Sequence, residues 1–242
     1  MLVSFLIMLP FVALAGFLLG GLVELAAQRL PSSEPFLAPP SCPRCGSLRS
    51  RWSWLLPRPC PTCGSIPRSQ LTLQLLTALT LVLVWLRFFT EPLAVLRVSL
   101  FALLLLLIAR IDWAHHLIYL VTVVPALALA LLLAGTVSLR AFLLAIAGMV
   151  SAAVLFAVFY GLGWLLYRRA ALGSGDIVLA ALIGAMVGAL HLLPTLLLGM
   201  LLAALAAIWL LVLRRVSRMT YLPYGSFLAA GTVIGLLLWG PA

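Results

Sequence analysis

Long apolar runs, broken by short arginine-bearing segments, set the pattern of the chain. Eight runs stand out, over residues 2–27, 70–87, 93–109, 117–134, 140–166, 176–192, 194–213 and 221–239. A bilayer-crossing helix needs roughly 20 mainly apolar residues, within about 17–25. The pattern therefore predicts an all-α polytopic membrane protein with about eight transmembrane helices. The fifth run is long enough to tilt, or to bend near Gly148. The spacings Gly16 to Gly20 and Gly184 to Gly188 predict places where helices pack closely.

One large polar segment interrupts the pattern, over residues 28–69. It is rich in proline and arginine and has little periodicity. Such a segment cannot bury a core by itself, so something else must fold it. The chain thus divides into a first transmembrane helix (1–27), a polar loop domain (28–69) and a transmembrane remainder (70–242).

Charge turns the pattern into a topology. With the N-terminus outside and strict alternation, residues 28–69, 110–116, 167–175 and 214–220 are inside loops. They hold twelve arginines, against three outside, namely Arg87, Arg97 and Arg140. That asymmetry obeys the positive-inside rule and supports the count of eight. The first apolar run has no basic residue ahead of it, unlike a secretory signal, and reads as a retained span.

Composition agrees. Apolar residues make up 65% of the 242, and charged residues only 8%, where a soluble domain carries about 25%. The net charge of +10 comes from arginine with no lysine. It is scattered in short clusters between apolar runs, which argues for topology and against nucleic-acid binding.

The polar segment repeats one unit: Cys42-Pro-Arg-Cys45-Gly46 and Cys60-Pro-Thr-Cys63-Gly64. Four thiolates in two CxxC pairs match a tetrahedral structural zinc site. Each glycine permits a tight turn around the metal through positive φ. The reducing compartment expected for an inside loop favours metal over disulfides, and four thiolates leave no open position for catalysis.

Only five residues are acidic: Glu24, Glu34, Glu91, Asp112 and Asp176. Glu24, near the inner end of the first span, could pair with an arginine or line a polar cavity. Asp112 and Asp176 each lie where an inside loop meets a span, at the same membrane face, 64 residues apart. Ionisable groups at that depth are costly and usually functional. Two nearby carboxylates can share a proton, so that one serves as base and the other as acid. By position alone, helix capping competes equally with catalysis, because aspartate is a favoured N-cap. Asp176 closes the sequence Gly173-Ser174-Gly175-Asp176, a GxGD motif whose Gly173 and Gly175 allow close backbone approach. His115 and His116 would share a helical face with Asp112, with a hydrogen-bonding role favoured over a metal site since no HExxH is present.

Taken in order, these pieces resemble the bacterial type IV prepilin peptidases, which are GxGD-type intramembrane aspartic proteases. Gly20 to Glu24 and Arg29-Leu30-Pro31 are similar to the family's opening motif, and the double CPxC module follows. Next come Ile111-Asp112, the GxGD stretch with Leu179 to Gly184, and Pro223-Tyr224-Gly225-Ser226-Phe227-Leu228. The resemblance implies an inner-membrane aspartic endopeptidase that cuts the leader from prepilins or pseudopilins of type IV pili or type II secretion. Asp112 and Asp176 would be its catalytic pair, and Cys42, Cys45, Cys60 and Cys63 its zinc ligands. It also implies a second, N-methyltransferase activity that uses S-adenosylmethionine. Some positions depart from the family pattern: Tyr119, Val178, Glu24, Gln74 in place of a glutamate, and Ser226 in place of a proline. The competing reading is a transporter or channel with a zinc-folded module, using the two aspartates for ions or protons.

Overall fold

The computed structural model describes residues 2–32, 35, 38–42, 44–168, 173–213 and 223–242, without the side chains of residues 2–6, 51 and 167. Glu34, Arg169, Arg214, Arg215 and Arg218, and the first two residues of the eighth apolar run, lie outside the described residues. The helices are α1 (Leu2–Arg29), α2 (Arg68–Phe88), α3 (Pro92–His115), α4 (Leu120–Val137), α5 (Leu139–Tyr167), α6 (Ser174–Val212) and α7 (Tyr224–Trp239). Among the described residues, one short 3₁₀ turn (Arg51–Trp54) and one isolated bridge, Ser41 to Leu48, complete the regular structure. Six helices are long and apolar enough to cross a membrane, and α7 is a shorter apolar helix. Large apolar side chains such as Leu132, Leu165 and Trp209 stay exposed on them, as expected where lipid tails replace a protein core. The protein is a polytopic helical membrane protein.

The chain forms two compact units, Met1–Val95 and Leu96–Ala242. In the first, α1 packs along α2. A Cβ on Gly16 would come within 2.7 Å of Ala78 Cα, and one on Gly20 within 2.6 Å of Gln74 Cα. The Gly16 to Gly20 spacing therefore marks close packing, as expected. From the buried face of α2, Gln70 Nε2 donates to the carbonyls of Ser53 (2.9 Å) and Trp54 (2.7 Å), and Gln74 Nε2 to that of Leu55 (2.8 Å). These bonds satisfy carbonyls that the irregular segment could not pair by itself. They tie the polar segment to a membrane helix.

In the second unit, α5 and α6 cross at glycines. A Cβ on Gly148 would lie 2.3 Å from Gly184 O, and one on Gly184 would lie 2.2 Å from Gly148 O. Helix α5 stays helical through Gly148. That glycine admits the neighbouring backbone.

The sixth and seventh apolar runs fall within the single element α6, which leaves helical geometry at Gly188 (φ 71°, ψ 169°). Contacts show that the chain reverses there. The start of α6 lies beside the start of α7: Gly175 and Gly225 both face Ile118. Twelve residues further along α6 the level has reached the other end of α7: Met186 O accepts a hydrogen bond from the Ala242 N–H, beyond the end of α7. After Gly188 the order runs backwards. His191 stacks on Trp239, Thr195 meets Gly235, and Gly199 meets Leu228 and Gly231. Helix α6 is thus a hairpin of two arms, which correspond to the apolar runs 176–192 and 194–213. The expected boundary between them shifts to Gly188, because only glycine readily adopts that backbone region.

Candidate aspartate site and cysteine cluster

Asp112 is in the last turn of α3, which extends through most of the expected 110–116 loop and ends at His115. His116, at φ 53°, stops the helix and donates its N–H to the Asp112 carbonyl at 2.8 Å. Asp112 therefore is not the N-cap of a following helix, and the capping alternative fails in that form. A carboxylate at a helix C-terminus also gains nothing from its own helix dipole. It is held from α7 instead. Asp112 Oδ2 accepts from the Ser226 N–H at 2.7 Å and lies 2.9 Å from Ser226 Oγ. Ser226 Oγ is also 2.9 Å from Ala109 O, so its one proton serves either acceptor at a time. Ser226 belongs to the first turn of α7, and its N–H is shared between Asp112 Oδ2 and the Pro223 carbonyl, which is 3.2 Å away. Asp112 thus closes the start of another helix, 114 residues away in sequence, and is only 5% exposed.

Asp176 sits in the first turn of α6. Its Oδ2 accepts the Gly173 N–H at 2.9 Å. Capping is therefore part of what this side chain does, and it fixes the GxGD turn. The two carboxylates occupy the starts of neighbouring helices, with Ile118 packed against both Gly175, next to Asp176, and Gly225, next to Ser226. Small residues make the approach possible. A Cβ on Gly225 would be 3.1 Å from Asp112 Oδ2, and one on Gly175 would be 2.9 Å from Ile118 Cβ. Gly173, by contrast, has open space nearer than 3.5 Å, so its part is the N–H it donates. His115 and His116 are both exposed.

Sequence reasoning names both aspartates and both motif glycines but misses Ser226, Gly225 and Ile118 as their setting. The signal for Ser226 is its departure from the family's proline. A proline there could supply neither the N–H nor the hydroxyl.

In the first unit the two CPxCG units form matching turns. Gly46 N–H donates to Cys42 O and Gly64 N–H to Cys60 O, each at 2.8 Å, with φ of 72° at Gly46 and 67° at Gly64. Cys42 N–H reaches Ser47 O at 2.9 Å and Cys60 N–H reaches Ser65 O at 3.0 Å. The four Sγ atoms lie within 4.8 Å of one another, with Cys42 to Cys63 at 3.7 Å and Cys45 to Cys60 at 3.6 Å. Tetrahedral Zn–S bonds of about 2.3 Å put sulfurs about 3.8 Å apart, so the set can hold a metal ion. Among the described residues it is the one cluster of three or more His, Cys, Asp or Glu that can. The Ser65 hydroxyl and neighbouring backbone N–H groups bring the Cys42 thiol down to about 7. The Ser47 hydroxyl and the N–H groups of Cys63 and Thr62 bring Cys60 down to about 5. Both favour the thiolate that binds metal.

Glu24 is buried and accepts from Gln28 Nε2 at 2.8 Å. It lines a small cavity with Arg49 and Gln70, in line with the cavity role expected for it.

Residues 99–208 match the model of the type IV leader peptidase family. A prepilin leader peptidase/N-methyltransferase of Myxococcus xanthus (strain DK1622) is 30% identical over 184 residues, covering 72% of this chain and 55% of the relative. The chain belongs to the type IV leader peptidase family. It spans about half the length of that curated relative (55%). No solved structure matches it significantly. The stretch of the chain that matches the family model contains Asp112, Gly173, Gly175 and Asp176. It ends before α7, so the Ser226 contact comes from outside the matched region. The cysteine cluster also lies outside it.

Proposed function

We propose that the protein is a membrane-embedded aspartic endopeptidase that removes the leader peptide of type IV prepilins or pseudopilins at the cytoplasmic face of the inner membrane. The observation that carries this reading is the pair of carboxylates at the neighbouring starts of α6 and α7, within a type IV leader peptidase family match. The transporter reading draws no support from that match. Asp112 and Asp176 are the proposed catalytic pair. Water adds to the scissile carbonyl carbon as one aspartate takes its proton, and the other, protonated, donates to the carbonyl oxygen. Collapse of that adduct breaks the C–N bond, and a proton passes to the leaving amine. Ser226 and Gly173 position the carboxylates through the bonds described above.

Cys42, Cys45, Cys60 and Cys63 are the proposed ligands of a structural zinc ion, which would cross-link the two turns of the loop domain. Residues 1–27, 28–69 and 70–242 remain the proposed functional division. Methylation of the new N-terminus from S-adenosylmethionine is a second proposed activity, resting on the name of the relative. The cavity beside the cysteines pairs poorly with that donor. Among the described residues Arg44, Arg49 and Arg68 line it without a carboxylate, so no methyl-transfer step is assigned to it.

Mass spectrometry of a prepilin incubated with the purified protein, with and without S-adenosylmethionine, tests both activities. The wild type should release the leader. Asp112→Asn and Asp176→Asn should each lower the rate by about 10³-fold or more while staying folded and zinc-loaded. Full cleavage by either variant would rule out the proposed pair.

A further inference from the structure

Beside the cysteine turns, in the first unit, lies a cavity of about 720 Å³. Its lining includes Arg44, Arg49 and Arg68, Ser65 and Ser69, and Cys42. Among the described residues no acidic side chain lines it. We propose that this cavity is a binding site for a phosphate group, of the kind carried by an anionic phospholipid headgroup.

Four observations carry the proposal. First, the site is built rather than loose. Arg49 is only 7% exposed, and its Nη2 donates to the Arg58 carbonyl, which fixes the side chain. Second, Pro67 and Arg68 begin α2, and Pro67 makes no side-chain cap. The unpaired N–H groups of that first turn and the positive end of the helix dipole add to the three guanidiniums. Third, the charge does not cancel when metal binds. Zn²⁺ with four thiolates sums to −2, and Cys42 alone of the four reaches the cavity. Fourth, Arg29 ends α1 and Arg68 begins α2, both helices long and apolar enough to cross a membrane, so the segment between them starts and finishes where such helices would leave a bilayer. Trp52 and Ile66, on that same segment, are 68% and 55% exposed, as side chains at a membrane interface are.

Guanidinium forks match phosphate oxygens two at a time. They suit a sulfonium cation badly, which argues for phosphate over S-adenosylmethionine as the occupant. The site does not depend on the proposed cleavage reaction, and its test reads binding rather than activity.

Native mass spectrometry of the full zinc-loaded chain decides the matter. Phosphatidylglycerol, diacylglycerol with the same acyl chains, inorganic phosphate and S-adenosylmethionine serve as separate probes. The wild type should retain phosphatidylglycerol and lose diacylglycerol. Competition by inorganic phosphate at micromolar concentration would assign the site to free phosphate; competition only at millimolar concentration would assign it to lipid. Arg44→Gln/Arg68→Gln should weaken retention by about tenfold or more with unchanged zinc content. Arg44→Gln alone, at an exposed position, gives the same reading in smaller measure should the double variant misfold. Equal retention of phosphatidylglycerol by wild type and variants would overturn the proposal. So would binding of S-adenosylmethionine where neither phosphate probe binds.

Discussion

Asp112 is held by a helix other than its own, and that makes two small residues of α7 part of its setting. Ser226 supplies two donors to Oδ2, one from the backbone and one from the side chain. Ser226→Ala removes one and keeps the other. Its cleavage rate should fall by about tenfold, the worth of one net hydrogen bond to a charged group. Ser226→Pro removes both and should fall further. Gly225→Ala brings a methyl within 3.1 Å of the same oxygen. A shift of a few tenths of an ångström in a catalytic group is enough to lower turnover, so kcat should drop while helical content by circular dichroism stays the same. A prepilin cleavage assay with purified variants checks all three. The aspartates themselves are legible in the sequence, because rare acidic residues beside apolar runs stand out. Their supports are not, because the bond from Ser226 to Asp112 spans 114 residues and exists only once α3 and α7 are neighbours.

Among the elements, α6 is the one whose geometry a linear pattern understates. Its arms run antiparallel around Gly188, in a backbone region that costs other residues about 1–3 kcal/mol. A Cβ there would also come within 3.0 Å of Ala242 Cβ. Gly188→Ala should therefore lower the thermal unfolding temperature in detergent, with helix content before the transition unchanged. At the α5–α6 crossing the penalty is steric instead. Gly148→Leu has to displace the α6 backbone, now 2.3 Å from where a Cβ would sit, and should destabilise the pair by about 1–3 kcal/mol or more. The same thermal melt measures it. Hydropathy sees the two arms of α6 as two apolar runs, and the GxxxG spacing sees Gly184 and Gly188 as packing positions. Both readings hold. What neither shows is that Gly188 does a different job from Gly184: it turns the chain, while Gly184 admits a neighbour.

At the scale of the whole molecule, two modes of stabilisation operate. The membrane helices rest on backbone hydrogen bonds closed within each helix and on glycine-mediated contacts. The cysteine segment rests on its donor set and on the clamps from Gln70 and Gln74. Removing metal with a chelator should therefore open residues 41–66 to protease while far-UV circular dichroism of the helices changes little. Limited proteolysis read by mass spectrometry, alongside zinc analysis, checks this. Unchanged protease resistance in the metal-free protein would show that the glutamine clamps suffice.

The amino-acid sequence by itself determines the helical, polytopic architecture, the four-cysteine cluster, the paired aspartates and the family. Each rests on a local signal: run length, CxxC spacing, a rare charge or an ordered motif. The tertiary structure alone decides that Asp112 closes the start of α7, that α6 folds back at Gly188, and that three arginines converge on one cavity. Those facts depend on contacts between residues far apart in the chain, and no local pattern of apolar and polar positions encodes which helix ends meet.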